Sequence, residues 1–171
     1  GKADITSSTS VNGKINAKGL NLTAEGSVGN AQNATENNVH GEKLNVSAKN
    51  NIYVKEVDAE SGKTDIGTVA SEKGNVTLTT AQDTVIDSLT AEKGDVTVTT
   101  AGSFAITDLT AEKGDVTVTA ADSLAITKLT AESINAQAAT TITAGITGDI
   151  IVKRLEAPES INVHATGTLY A

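Results

Sequence analysis

The sequence predicts an all-β fold, a right-handed parallel β-helix (β-solenoid) with rungs of about 20 residues. Three observations predict it: consecutive near-identical repeats, apolar residues that alternate with polar ones inside each repeat, and a shortage of large side chains. Aromatic residues make up only 2% of the chain, and Trp, Met and Cys are absent. The core is therefore expected to be thin and to consist of Val, Ile, Leu, Ala and Thr.

Three consecutive units of 20 residues align without a gap. They are SEKGNVTLTTAQDTVIDSLT at Ser71–Thr90, AEKGDVTVTTAGSFAITDLT at Ala91–Thr110 and AEKGDVTVTAADSLAITKLT at Ala111–Thr130. In each unit the sixth and eighth residues are apolar, as Val96 and Val98 are in the second. A spacing of two is the period of a strand, because successive side chains of a strand point to opposite faces.

The same skeleton extends to both sides of these units with changes in length. The first apolar positions are predicted at Leu20, Leu44, Val76, Val96, Val116, Ile134 and Ile161, with intervals of 24, 32, 20, 20, 18 and 27 residues. In each unit the second strand begins eight residues later, as Leu44 and Ile52 illustrate. We therefore expect the extra length to form loops, at Asn30–Asn38, Ala59–Lys63 and Gly145–Asp149.

Gly74, Gly94 and Gly114 occupy the same position in the EKG turn of the three units. Glycine at a fixed turn position indicates either a positive φ or a corner too tight for a side chain. The leucine-rich repeat has a similar period, but its LxxLxLxxN signature is absent, and helical repeats would show a period of 3.6. A solenoid with three short faces remains, whose rungs stack at about 4.8 Å.

The charge excludes some partners. Lys and Arg number 13 against 21 Asp and Glu, a net charge of -8, which argues against nucleic acid and against an anionic membrane surface. No apolar run is long enough for a membrane span, and no signal peptide is visible, so membrane insertion is not expected. Residues 1–171 are predicted to be a single shaft segment of a longer chain, because Gly1 replaces an initiator Met and repeats lie close to both ends.

The run SLTAEKGDVTVTTAGSFAITDLTAEKGDVTVTAADSLAITKLTAE resembles the repeats of filamentous-haemagglutinin-like exoproteins, the bacterial surface proteins of two-partner secretion. The shared pattern is G-D/N-V-T-V-T, a polar turn, and a short apolar strand ending in LTA, and it covers most of the chain from Leu20 onward. The resemblance implies a secreted or surface-exposed virulence adhesin. It also implies export by an outer-membrane two-partner transporter and binding to a host-cell or bacterial surface receptor, either protein or glycan.

Two alternative functions are open. Asp95 and Asp115 occupy the same position in adjacent rungs, where a carboxylate pair of a polysaccharide-active β-helix enzyme could lie. Aromatic platforms for sugars are almost absent, so no enzymatic activity and no catalytic residue are predicted. The Thr-x-Thr runs that begin at Thr77, Thr97 and Thr117 suggest ice binding, although Thr also suits an exposed pleated face.

No metal or cofactor is predicted. The nonapeptide of calcium-binding rolls does not occur, and His40 and His164 are far apart in the chain, with no Cys to join them. The predicted binding residues lie in the extra loops, because function concentrates in loops held by a rigid scaffold. They are Asn30, Gln32, Asn33, Glu36, Asn37, Glu60, Ser61 and Lys63. The first two extra loops are expected to form one polar protrusion near the same corner.

Four Asn-x-Ser/Thr sequons provide candidate glycosylation sites. They begin at Asn21, Asn33, Asn45 and Asn75.

Overall fold

The computed structural model describes residues 1–57 and 62–171, and in these ranges it is all-β, with strands that pair only in parallel. The strands form two stacks. The first stack contains β1 (Lys2–Ser7), β3 (Gly19–Ala24), β5 (Leu44–Ala48), β7 (Lys63–Ser71), β9 (Asp83–Ala91), β13 (Thr141–Ile146) and β15 (Ser160–Ala165). The second contains β2 (Lys14–Ala17), β4 (Thr35–Val39), β6 (Ile52–Glu56), β8 (Val76–Thr80), β10 (Val96–Thr100), β14 (Ile150–Glu156) and β16 (Leu169–Tyr170).

Two long strands belong to both stacks. The first halves of β11 (Phe104–Ala120) and β12 (Leu124–Ala138) lie in the first stack, and their second halves lie in the second stack. The chain thus coils through about eight turns of about 20 residues, which confirms the predicted β-solenoid. The right-handed sense of the coil stays a prediction.

The core is a set of columns in which the same kind of apolar residue repeats from rung to rung. In the first stack Ile86 pairs with Ile66 on one side and Ile106 on the other. In the second stack Val96 lies between Val76 and Val116. All six side chains are at most 3% exposed. These columns confirm the 20-residue rung for the central repeats.

In each central rung of the first stack, the alternation of inward and outward residues is interrupted once. In β9, Ile86 and Leu89 both point inward, while Asp87 and Ser88 between them both face outward. Two consecutive outward residues bend the strand, so a rung turns a corner here without leaving the ladder. This corner explains why the sixteenth and nineteenth positions of the repeat are three residues apart.

The predicted register is wrong at both ends of the solenoid. Leu44 pairs with Ile66 and Ile52 pairs with Val76, so the 32-residue interval between Leu44 and Val76 is not a rung. At the other end Ile161 pairs with Ile142, in the first stack, and not with Ile134 in the second. The two stacks share the same strand alternation, so a strand read alone does not reveal which stack it joins.

The predicted loops are shorter than the sequence suggested. Residues 35–38 of the expected loop Asn30–Asn38 belong to β4, and the inserted segment is 29–34. In Ala59–Lys63, Lys63 opens β7, while residues 58–61 lie outside the described ranges. Gly145 and Ile146 end β13, which leaves 147–149 as the connection.

The EKG glycines serve close approach, and none of them has a positive φ. A Cβ on Gly94 would lie 2.4 Å from the carbonyl oxygen of Gly74, and one on Gly114 would lie 2.3 Å from that of Gly94. Because the obstacle is the backbone of the neighbouring rung, it cannot move aside. The predicted tight corner is confirmed, and the alternative reason, a positive φ, is wrong.

One part of the interior is polar. Thr84 is 1% exposed and occupies the position filled by Phe104 in the next rung. The hydroxyls of Thr80 and Thr84 lie 2.6 Å apart, and the hydroxyl of Thr100 donates to the carbonyl oxygen of Gln82 at 2.7 Å. These contacts satisfy hydroxyls that would otherwise be costly to bury.

Candidate functional site

The inserted segment leaves the second stack in the middle of a strand. Val28 forms a bridge with Ile52, and Thr35 pairs with Val54. Six residues, 29–34, therefore stand where Tyr53 alone stands in the following rung. The neighbouring rung that contains Tyr53 has no such insertion.

Gly29 starts the insertion with a φ of 67°. A Cβ there would lie 2.2 Å from the carbonyl oxygen of Tyr53 and 2.8 Å from the backbone nitrogen of Thr35. The N–H of Gly29 donates to the carbonyl oxygen of Val11 at 2.8 Å. Glycine is required here both by the left-handed backbone and by contact with the next rung.

Asn30 holds the tip of the insertion in one conformation. Its side-chain Oδ1 accepts the backbone N–H groups of Gln32 at 3.0 Å and of Asn33 at 2.9 Å. Its own N–H donates to the carbonyl oxygen of Asn33 at 3.0 Å. An Asn side chain that mimics a backbone turn in this way preorganises a loop. The insertion is therefore a fixed polar turn whose side chains at Gln32 and Asn33 are exposed.

A cavity of about 430 Å³ lies between this turn and the neighbouring strands. Its lining combines small residues, side-chain amides and three charged groups. The lining residues are Gly13, Lys14, Ala31, Gln32, Asn33, Ala34, Glu36 and Lys55. They come from three consecutive rungs, because Lys14 pairs with Glu36 and Glu36 pairs with Lys55.

The three charged groups form a column with one excess positive charge. Lys14 Nζ lies 2.7 Å from Glu36 Oε2, and Lys55 Nζ lies 3.9 Å from Glu36 Oε1. The hydrogen bond and charge of Lys14 lower the pKa of Glu36, and those of Glu36 raise the pKa of Lys14. Both pKa shifts favour the ionised forms, so Glu36 and Lys14 stay charged at neutral pH. It provides two ammonium groups beside one carboxylate on a chain of net charge -8.

The structure separates the predicted binding residues. Asn30, Gln32 and Asn33 lie in the exposed turn, and the half-buried Glu36 lies beside it at the cavity. Asn37, which was expected in an exposed binding loop, instead lies in β4 and is fully buried, and its backbone pairs with that of Glu56 in the next rung. The alternation of β4 turns it inward.

Only the end of the second predicted loop, Gly62 and Lys63, lies in the described residues. Lys63 begins β7 in the first stack and forms an ion pair with Asp65 at 3.1 Å, whereas the insertion interrupts a second-stack strand. The expected protrusion shared by the two loops stays a prediction. Glu60 and Ser61, which were also expected to bind, lie outside the described residues.

Sequence reasoning missed Lys14 and Lys55 as lining residues of the cavity. Neither lies in the inserted segment, and the three members of the charged column are 22 and 19 positions apart, since they are residues 14, 36 and 55. These three residues line up only when the inserted residues 29–34 are left out of the pairing between rungs. The sequence gives no direct signal of this register, which is set by the bridge between Val28 and Ile52.

Asp95 and Asp115, the carboxylates of the possible enzyme site, form hydrogen bonds with neighbouring rungs. Asp95 Oδ1 accepts the backbone N–H of Asp115 at 2.9 Å. Asp115 Oδ1 accepts the hydroxyl of Ser133 at 2.6 Å, and its Oδ2 bonds Lys153. These bonds lower the pKa of the Asp115 carboxyl. Both carboxylates thus bind neighbouring rungs.

The sequon asparagines differ in their environments. Asn45 Nδ2 donates to Asn21 Oδ1 at 2.9 Å, and Asn21 Nδ2 donates to Asp4. Asn75 Oδ1 accepts the N–H of Asp95 at 2.9 Å. Asn33 is exposed in the inserted turn. Glycosylation at these four positions stays a prediction.

The Thr-x-Thr runs are in register on the second stack. Thr97 pairs with Thr77 and Thr117, and the second Thr of each run pairs in the same way. On the upstream side the ladder ends at Tyr53 and Lys55. The ladder is therefore three rungs long.

In residues 1–57 and 62–171, no group of three or more His, Cys, Asp or Glu residues converges in a way that could hold a metal ion. In the same ranges no helix has the length and apolar character needed to cross a membrane.

Comparisons with protein-family models, with curated proteins and with solved structures gave no match to this chain.

Proposed function

We propose that this chain is a shaft segment of a secreted bacterial surface adhesin that contacts host or neighbouring-cell surfaces through the turn 29–34 and the cavity beneath it. The observation that carries the proposal is this insertion itself. The second stack is interrupted between Val28 and Thr35 by a preorganised polar turn, which stands over a cavity of about 430 Å³ with two lysines and two side-chain amides.

The chemistry of the cavity suits recognition better than catalysis. Side-chain amides and ammonium groups donate hydrogen bonds to hydroxyl, carbonyl and carboxylate oxygens, which both glycans and proteins present. The nearest acidic group, Glu36, already pairs with Lys14 at 2.7 Å. Rigid turns lose little conformational entropy on binding, so a held turn increases affinity.

The proposal as an adhesin also rests on the resemblance of the repeats to filamentous-haemagglutinin-like exoproteins. That resemblance concerns the central repeats, which form the regular part of the shaft. A solenoid of stacked rungs is a stiff, elongated scaffold, and such scaffolds present binding loops along their length.

The test replaces residues 29–34 by a single Tyr. The following rung passes from Ile52 to Val54 through Tyr53 alone, so the shortened rung keeps its register. We expect normal circular dichroism and loss of binding to host cells, bacterial cells or a glycan array. Full binding by the shortened protein would contradict the proposal and would direct attention to the outward ladders.

A matched control changes the outward ladder without changing the loop. In this variant Thr97 and Thr99 become Ser, which keeps both hydroxyls and leaves the cavity untouched. We expect this control to bind as the parent does. Ice binding is a second candidate function, which the in-register threonines favour. The shortened protein and the Thr-to-Ser variant test it as well. Ice-crystal shaping that is lost in the Thr-to-Ser variant and kept in the shortened protein would support ice binding.

The enzymatic alternative has its own measurement. Release of new reducing ends or unsaturated sugars from bacterial and host polysaccharides is followed with the parent and with Asp95→Asn. Asp95 Oδ1 accepts the backbone N–H of Asp115 in the next rung. An asparagine at position 95 supplies the same acceptor oxygen without the negative charge. Activity that disappears in Asp95→Asn would favour the enzyme over the adhesin.

A further inference from the structure

The corner before β2 contains two exposed residues between two anchored ones. Val11 is anchored on one side, where its N–H donates to the carbonyl oxygen of Ser27 at 2.9 Å and it forms a bridge with Val28. Lys14 is anchored on the other side as the first residue of β2. Between them Asn12 and Gly13 are both exposed.

The reactive groups of this corner have no partner among the described residues. The Asn12 side chain makes no hydrogen bond, and the Gly13 N–H finds no acceptor; only the Gly13 carbonyl is engaged, accepting the N–H of Glu36 at 3.0 Å. A Cβ placed on Gly13 would meet nothing within 4 Å. The Gly13 nitrogen is therefore approachable from the side of the Asn12 side chain.

We propose that Asn12 is a site of spontaneous deamidation through a cyclic imide formed with Gly13. The Gly13 backbone nitrogen attacks Asn12 Cγ, a new N–Cγ bond forms, and the Cγ–Nδ2 bond breaks. The departing amide takes the proton of the attacking N–H and leaves as ammonia. Water then opens the five-membered imide at either carbonyl, which gives aspartate or isoaspartate at position 12.

Glycine after the asparagine removes the main obstacle to ring closure. A following side chain shields the backbone nitrogen, and glycine has none. Asn12 is the asparagine that precedes a glycine in this chain. Asn33 is equally exposed but precedes Ala34, and its own N–H is held by Asn30 Oδ1 at 2.9 Å.

Other asparagines are protected by the rung ladders. Asn45 uses both ends of its amide, donating to Asn21 Oδ1 at 2.9 Å and accepting the N–H of Thr68 at 2.9 Å. Asn75 Oδ1 accepts the N–H of Asp95 and precedes the β-branched Val76. These bonds hold the amide away from the backbone nitrogen that would attack it.

The modification would alter the candidate binding cavity, which Gly13 and Lys14 line. Either product adds a negative charge two residues from Lys14, which reduces the excess positive charge of the Lys14–Glu36–Lys55 column. Isoaspartate also lengthens the main chain by one methylene between Val11 and Lys14, and so shifts the Gly13 carbonyl from the N–H of Glu36. The deamidation chemistry itself does not depend on the proposed adhesive function.

The experiment incubates the folded protein in warm, mildly alkaline buffer and follows it by mass spectrometry of its peptides. We expect a product one mass unit heavier, located at Asn12, with isoaspartate and aspartate forms that separate on chromatography. The converted fraction at Asn12 should exceed that at Asn33 several-fold and should increase with pH, because the attacking amide must lose its proton.

Asn12→Gln is the matched variant, since it keeps an exposed amide but requires a larger ring. It should keep the fold and lose most of the conversion near position 12. A parallel incubation in urea shows whether the reaction needs the folded corner. Equal conversion at Asn12 and Asn33 in the folded protein, or conversion undiminished in Asn12→Gln, would overturn the proposal.

Discussion

Asn75 and Asp95 show how a single turn position joins one rung to the next. Asn51 Oδ1 accepts the N–H of Asn75 at 2.8 Å, and Asn75 Oδ1 accepts the N–H of Asp95 at 2.9 Å. Asp95 repeats the contact with Asp115. Each such hydrogen bond contributes on the order of 1 kcal/mol. The ladder explains why this position holds either Asn or Asp, since both supply the same Oδ1 acceptor.

The inward and outward phases of β10 can be tested at two adjacent residues. Val98 is fully buried between Leu78 and Val118, and Thr97 faces outward. Val98→Asp should lower the free energy of unfolding by more than about 4 kcal/mol, because it buries a charge without a partner. Thr97→Asp should change it by less than about 0.5 kcal/mol, as surface substitutions do. Urea denaturation measures the free energy of unfolding of both variants. Comparable losses of stability would contradict the assignment of Val98 as inward and Thr97 as outward.

The pKa of the Asp115 carboxyl is expected to rise once Lys153 is removed. Lys153 and Ser133 hydrogen-bond the ionised form and lower its pKa from the usual 3.8. A lowered folded-state pKa contributes stability above the unfolded-state pKa, and this contribution is lost as the pH falls through the folded-state value. Lys153→Met should therefore raise the pKa and weaken the acid dependence of stability.

Carboxyl carbon shifts measured by NMR against pH determine the Asp115 pKa directly. Lys128→Met is the matched control, because Lys128 pairs with Asp108 at 3.1 Å and should leave Asp115 unchanged. The same Asp115 midpoint in Lys153→Met and in the parent would show that the ion pair does not set this pKa.

The strands are nearly interchangeable units, and the turns between them carry the variation. β8 and β10 pair residue for residue over five positions, and Phe104–Ala111 pairs with the equivalent stretch of β9. The bulges and insertions occur elsewhere, between Leu44 and Val46, between Ile134 and Asn135, and after Val28. A solenoid tolerates such changes because each rung contacts mainly its two neighbours.

Deletion of one whole rung should leave a shorter folded protein. Removing Ala91–Thr110 joins Thr90 to Ala111, and Thr90 already pairs with Thr110, so the new junction preserves the register. Removing only Ala91–Thr100 eliminates β10 but keeps the first-stack strand of the same rung, so apolar side chains lose their column. Urea melts with their m-values compare the two. Equal stability would argue against a 20-residue rung.

At the scale of the whole molecule, burial is uneven along the axis. The central strands β8 to β12 alternate between exposed and fully buried side chains, whereas β15 and β16 contain no fully buried residue. The large apolar residues exposed in the described ranges all lie in this last part of the chain. They are Ile151, Ile161, Leu169 and Tyr170. Local stability should therefore decline toward this end.

Hydrogen exchange followed by mass spectrometry should show this gradient. We expect the slowest exchange in peptides from Val76 to Ala138 and faster exchange in peptides from Lys2 to Ser7 and from Ser160 to Tyr170. The physical reason is that an end rung opens by losing contacts on one side, whereas a central rung must lose them on both. Uniform exchange rates along the chain would instead indicate that the solenoid unfolds as one cooperative unit.

The candidate site was only partly predictable. The excess length around Asn30 located the inserted turn, because loops tolerate insertions that strands do not. The chain alone could not place Lys14 and Lys55 beside it or turn Asn37 inward. The positions of these side chains depend on how each rung is aligned with the next. The bridge between Val28 and Ile52 sets this alignment.

The amino-acid sequence by itself determined the β-solenoid, the central 20-residue rung and the inward columns, because exact repeats and two-residue alternation are local properties of the chain. The tertiary structure alone decided the register at both ends. Leu44 and Ile52 have the same alternation and the same apolar character, yet one joins Ile66 and the other Val76. Strands of both stacks satisfy the same pattern, so their stack is selected by the contacts that a complete rung makes with its neighbours.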